Sequence, residues 1–250
     1  MMSIKKPNTE NDLLNDTTID NMKTSEALSL MIKNQSESIQ VIKNNIDNIE
    51  KIVDAIFDHL NLSAKSRIIY AGAGTSARIG VQDGVELYPT FGWPVHRVDF
   101  LIAGGKEALL SSIEGAEDDQ KSVLKMIESI SLSKNDVVIA LAASGNTPFT
   151  KKVLKESQKK RALTIAISNN PNGLVLNYAN YKLTLDTGPE VISGSTRLKA
   201  GTAQKICLNM ISSMLMIKLG RVKNGKMNFL VANNEKLKKR KAQIILSLKK

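Results

Sequence analysis

Two short stretches combine small residues, hydroxyls and glycine in a way that suits anion binding. The first is Gly72-Ala73-Gly74-Thr75-Ser76-Ala77 and the second is Ala143-Ser144-Gly145-Asn146-Thr147-Pro148. Glycine lets the backbone turn tightly and approach a ligand closely. Thr75 or Ser76 would then cap a helix, whose free N–H groups and dipole favour negative charge. Pro148 suits the first turn of a helix after the second stretch. One such loop could cradle a phosphate while the other orients a polyol. Either loop alone could equally be an ordinary capped turn.

Two carboxylates, Glu86 and Glu117, fall in segments that would border such a pocket. Paired carboxylates divide acid and base work when their environments separate their pKa values. Taken alone, acids near helix ends are more often solvated or capping. The spacing G-x-G-x-x-A also fits a dinucleotide fingerprint, but that reading wants an acid at the end of the second strand. There the chain reads Ala103-Gly104-Gly105, with Asp99 inside the strand. No nucleoside-triphosphate P-loop occurs. Two histidines, His59 and His96, and one cysteine, Cys207, leave little for a multi-histidine metal site and nothing for a disulfide framework.

The elements that must position these loops follow from hydrophobic patterning. Arg67–Gly72, Val98–Ala103, Asp136–Ala142, Leu163–Ile167 and Tyr181–Leu185 are nearly continuous apolar runs, as strands buried on both faces require. Helical-length segments 76–88, 106–130 and 148–160 lie between them. Strand and helix alternate, which predicts an α/β fold with a parallel sheet and ligands beyond the strands' carboxyl ends. Residues 24–60 predict an amphipathic helix or helical pair, Thr196–Leu219 a long apolar helix carrying a buried Cys207, and 233–248 a last helix. Trp93 is expected beside Phe91 in a loop near the site. Residues 1–20 read as an extended or loosely held arm, 21–232 as the main domain and 233–250 as a lysine-rich helical end.

Of 250 residues, 42% are hydrophobic and 24% charged, enough for one sizeable α/β domain. The formal charge is +11, and residues 236–250 carry seven basic residues and no acid, leaving +4 for the rest. With no interleaved aromatics, those lysines read as a solvated helix face rather than a nucleic-acid patch. No membrane span or export signal is evident, and a single thiol favours the cytoplasm.

Five segments in order make a specific match. They are Ala71–Ser76, Glu86 with the following Pro89-Thr90-Phe91-Gly92, Ile102–Gly105 with Glu114–Asp119, Ala142–Pro148, and Gly188–Lys205, the most diagnostic. The chain resembles the N-acetylmuramic acid 6-phosphate etherases, which carry a sugar isomerase (SIS) domain. Thr9-Glu10, Thr18–Asp20 and Asn233–Leu237 share the likeness. It implies a doubly wound five-stranded parallel sheet, with N-terminal helices and a long C-terminal helix. It implies removal of the D-lactyl ether from N-acetylmuramate 6-phosphate by elimination and water addition, with no metal or organic cofactor. Glu86 matches the family's proton donor and Glu117 its second carboxylate, though their roles could be exchanged. Thr75, Ser76, Ser144, Gly145, Asn146 and Thr147 would hold the phosphosugar, and Glu190, Ser195 and Lys199 could complete the pocket, from a partner subunit if the chain is a homodimer. Ala77 replaces a common glycine and Asn146 a common arginine. A binding-only phosphosugar regulator and an aldose–ketose isomerase are the rival readings.

Overall fold

The computed structural model describes residues 6–13, 18–232 and 235–248. The five apolar runs form strands β1 (Ile68–Gly72), β2 (Val98–Ile102), β3 (Val137–Ala142), β4 (Leu163–Ser168) and β5 (Tyr181–Thr184). All pair in parallel, in the order β2-β1-β3-β4-β5. Successive side chains alternate faces. Thus Ile68, Tyr70, Val137 and Ile139 enter one core, and Ile69, Ala71, Val138 and Ala140 enter the other.

Helices cover both faces. On one side lie α1 (Thr24–Lys43), α2 (Ile46–Asn61), α3 (Gly74–Phe91) and α6 (Lys199–Lys218); on the other lie α4 (Lys121–Ser129) and α5 (Pro148–Lys159). A hairpin, β6 (Val222–Lys223) with β7 (Lys226–Met227), leads toward α7 (Glu235–Leu248). The first two residues of the expected last helix, 233–234, lie outside the described residues, as do Lys249 and Lys250. No helix among the described residues is long and apolar enough to cross a membrane.

A buried polar knot holds α3 to the sheet and to α6. The Asp83 carboxylate accepts hydrogen bonds from Tyr70 Oη (2.8 Å), Asn209 Nδ2 (2.7 Å) and Ser212 Oγ (3.0 Å). Burial pushes the Tyr70 phenol well above its ordinary range, and the Asp83 charge adds to the shift. Cys207 is fully buried, and desolvation pushes its thiol up as well.

Several expectations need correction. Residues 106–130 are not one helix. Short 3-10 turns at Lys106–Leu109 and Ala116–Asp118 precede α4, because Gly115 adopts φ 66° and the Asp119 carboxylate accepts the N–H groups of Lys121 and Ser122 (3.0 and 3.1 Å), capping a fresh helix start. The long helix begins at Lys199 rather than Thr196. Trp93 is fully buried with the guanidinium groups of Arg97 and Arg221 against its ring (4.2 and 5.7 Å to the centre), and its Nε1 donates to the Arg97 carbonyl just before β2 begins, at the end of the sheet opposite the carboxyl ends, so it is remote from the crevice. The arm is not loose over residues 8–11. Thr9 is fully buried, its carbonyl accepts the Gly194 N–H (3.2 Å), and Ser193 Oγ donates to the Glu10 carbonyl (3.0 Å).

Candidate active site

The strand order reverses direction between β1 and β3. In an open α/β sheet that places the ligand crevice at the carboxyl ends of these two strands. Both glycine-containing loops lie there.

After β1 the chain turns at once into α3. The helix cap is Ala73, not Thr75 or Ser76, and the first helical bond runs from Ala77 N–H to the Ala73 carbonyl (3.3 Å). The N–H groups of Gly74, Thr75 and Ser76 are therefore left without helical partners. The first turn contains no acid that would neutralise them. Thr75 and Ser76 sit in this first turn, and their hydroxyls have no partner among the described residues.

The loop after β3 is held more tightly. Gly145 has φ 74°, and a Cβ there would fall 2.4 Å from Gly173 Cα, so only glycine fits. Val175 N–H donates to the Gly145 carbonyl (2.9 Å), Asn170 Nδ2 to the Ser144 carbonyl (3.0 Å) and Leu174 N–H to Asn146 Oδ1 (3.2 Å). The Asn146 N–H in turn donates to Ser144 Oγ (3.2 Å). Thr147 caps α5, which opens with Pro148 and again has no acid in its first turn.

A third helix start, that of α6, differs. The fully buried Glu190 carboxylate accepts the N–H groups of Lys199 and Ala200 (2.9 Å each), so the chain fills this anion position itself. Desolvation raises the Glu190 pKa against the lowering effect of these two bonds. Lys199 Nζ pairs with Glu37 of α1 (2.6 Å), and Ser38 Oγ donates to the Lys199 carbonyl (3.1 Å). Within the chain, Glu190 and Lys199 thus anchor α1 and α6. Ser195 is half-buried in the turn before α6.

Facing the first loop, a crevice of about 370 Å³ is walled by Ala73 and Gly74 on one side and by residues 111–117 on the other. Glu117 lines it, in the 3-10 turn that starts from Gly115, and so does Glu114. Ala116 and Ala73 both pack on the core shared with α5, which ties the two walls together. Arg78, one turn into α3, completes the lining. Sequence reasoning passed over Arg78; the available signal was a cation at i+3 from Thr75, on the same helix face.

Glu86 is elsewhere. It lies on α3 twelve residues past Gly74, about 18 Å along the helix axis, and is exposed. The two carboxylates expected in one pocket therefore do not meet within a single chain. Two apolar side chains flank Glu86 on the exposed face of α3: Val85 is 51% and Tyr88 44% exposed.

The fold is shared widely. A phosphoheptose isomerase from Francisella tularensis superposes with a TM-score of 0.57 at 13% identity, covering 78% of this chain and 100% of that one. Another from Neisseria gonorrhoeae gives 0.54 at 13% identity, with 80% and 100% covered. The SIS domain model matches residues 109–214, and the glucokinase regulatory protein N-terminal SIS domain model matches residues 48–158. Closer likeness comes from two proteins named N-acetylmuramic acid 6-phosphate etherase. That of Geobacillus thermodenitrificans is 42% identical over 231 residues, 91% of this chain and 77% of that protein. That of Mycoplasma mycoides subsp. mycoides is 41% identical over 240 residues, 96% and 79% respectively. With identity at this level across most of both partners, the chain belongs to the N-acetylmuramic acid 6-phosphate etherase family.

Proposed function

We propose that the chain removes the D-lactyl ether of N-acetylmuramate 6-phosphate, yielding N-acetylglucosamine 6-phosphate and D-lactate, a step in recycling cell-wall amino sugars. The observation that carries this reading is Glu117 beside a helix start whose N–H groups lack any negative partner, in a chain 42% identical to a named etherase. The phosphate sits at the starts of α3 and α5, within reach of the hydroxyls of Thr75, Ser76, Ser144 and Thr147, with Gly145 and Asn146 shaping the second loop. Helix N-termini and hydroxyl donors together stabilise a dianion.

The ether oxygen on C3 lies β to the C1 aldehyde of the opened sugar, which acidifies the C2 proton. A carboxylate takes that proton, the C3–O bond breaks, and a carboxylic acid protonates the departing lactate oxygen. Water then adds at C3 of the unsaturated aldehyde, returning a proton to C2. The net reaction is ether plus water giving alcohol plus lactate, so no redox partner enters. Glu117 handles the C2 proton or the incoming water.

Glu86 protonates the ether oxygen, and it does so across a subunit boundary. A homodimer that buries the exposed Val85 and Tyr88 carries Glu86 of the partner subunit toward the crevice. A phosphorylated substrate and a single buried thiol suit a cytoplasmic enzyme. Incubation of the purified protein with N-acetylmuramate 6-phosphate tests the reading: stoichiometric D-lactate is expected. The match to the glucokinase regulatory protein N-terminal SIS domain favours one rival, a binding-only regulator. Saturable binding of the same sugar without lactate release would establish that rival instead.

A further inference from the structure

Arg78 is the only cation among the residues lining the crevice. Its guanidinium is held from three directions by backbone carbonyls of the opposite wall. Nε donates to Leu109 (3.2 Å), and Nη2 to Ala108 (2.9 Å) and Ser111 (3.1 Å). These acceptors are neutral, and no carboxylate among the described residues forms an ion pair with Arg78, so its charge is fixed in place without a direct anionic partner. Nη1 has no protein partner among the described residues. A rigid guanidinium with no ion-pair partner and a free Nη1 is built to receive an oxyanion.

The phosphate does not need it, because two helix starts already serve that group. The substrate's second anion is the lactyl carboxylate, attached through the very oxygen that must leave. Glu114 and Glu117 line the same crevice and would repel a carboxylate unless a cation stood among them. We infer that Arg78 is the specificity-determining residue for the lactyl carboxylate, reading it through Nη1 while the other two nitrogens clamp the wall that carries Glu117. This inference rests on the proposed ether-cleaving reaction. It distinguishes that substrate from plain phosphosugars, which carry one anionic group only.

The experiment compares ligands with and without the carboxylate. For Arg78→Gln, KM for N-acetylmuramate 6-phosphate should rise about 10- to 100-fold, as loss of a charge-assisted bond implies. Inhibition by N-acetylglucosamine 6-phosphate, which has no lactyl group, should stay within about twofold of wild type. That unchanged inhibition also reports that the variant is folded. Independently of any variant, the methyl ester of the lactyl carboxylate should bind wild type more weakly than the free acid by a similar factor. An ester that binds wild type as well as the acid overturns the assignment. So does an Arg78→Gln variant that weakens both ligands in parallel, which would make Arg78 a loop clamp and nothing more. Failure of the wild type to release lactate at all would count against the reaction itself, and the acid–ester comparison by calorimetry would still decide the role of Arg78.

Discussion

Removing Asp83 tests whether the polar knot beneath α3 is as costly to break as its geometry implies. The carboxylate is 5% exposed and receives three donors, all from neutral groups. In Asp83→Ala, Tyr70 Oη is stranded in a residue only 3% exposed, with no other acceptor among the described residues. Ser212 keeps a weaker bond to the Asn209 carbonyl (3.4 Å), and Asn209 is half-buried and can turn to water. One full orphan plus two softened losses, less the relief of desolvating a carboxylate, comes to about 3 kcal/mol. For a chain of this length that corresponds to a fall in Tm of about 6–12 °C. Scanning calorimetry reads it directly. The sharper assay is a double-mutant cycle: adding Tyr70→Phe removes the orphaned hydroxyl, so the pair should recover about 1–2 kcal/mol relative to the sum of the singles. Strictly additive losses would refute the claim that Asp83 acts through Tyr70.

Because burial raises the Tyr70 pKa, the unfolded chain releases that proton first as pH rises. Stability from Tyr70 is thus intact below about pH 10 and declines above it, and urea unfolding of Tyr70→Phe should lack that part of the alkaline slope. Glu156 is held below its ordinary range chiefly by hydrogen bonds from Lys152 (2.8 Å) and Lys159 (2.9 Å), so its contribution is present at neutral pH and lost as pH falls through the folded value. Glu156→Gln should cost about 1 kcal/mol at pH 7 and almost nothing in strong acid, by the same measurement. Gly84→Ala would drive a Cβ to 2.7 Å from Phe100 Cε1 and 2.9 Å from Tyr70 Cε2, destabilising the fold by about 1–3 kcal/mol, which thermal unfolding would register. Thr75→Val, which keeps shape and removes the hydroxyl, should raise KM by about tenfold with little change in kcat; an unchanged KM places the phosphate elsewhere.

Much of the architecture was legible from residue patterns, for identifiable physical reasons. Strands buried on both faces must be apolar at nearly every position, so Asp136–Ala142 and Leu163–Ile167 declare themselves without partners. The loops after β1 and β3 were legible because turning a strand straight into a helix demands small residues at Gly72 and Gly145. The segment 106–130 misled because its apolar spacing suits a helix, whereas Gly115 and the Asp119 cap interrupt it. The site was only half legible. Glu117 lies beside the first loop because a 3-10 turn returns the chain over the sheet edge, whereas Glu86 is carried away along α3, a separation that helix rise supplies and motif order conceals. Arg78 escaped notice because its partners are backbone carbonyls, which have no residue signature. The same holds for Glu190 and Lys199, whose roles depend on where α6 begins and on the distant Glu37.

The central claim is that one protomer's crevice, with its Glu117, works with Glu86 of the partner subunit. Glu86→Gln and Glu117→Gln homodimers should each lose most turnover while still binding the sugar phosphate. When the two inactive proteins are unfolded together and refolded as a mixture, half of the dimers should be hybrids, each with one intact site. D-lactate release should then return to about one quarter of the wild-type rate, the statistical value for an isologous dimer. A mixture no more active than either variant alone would contradict a site shared between protomers.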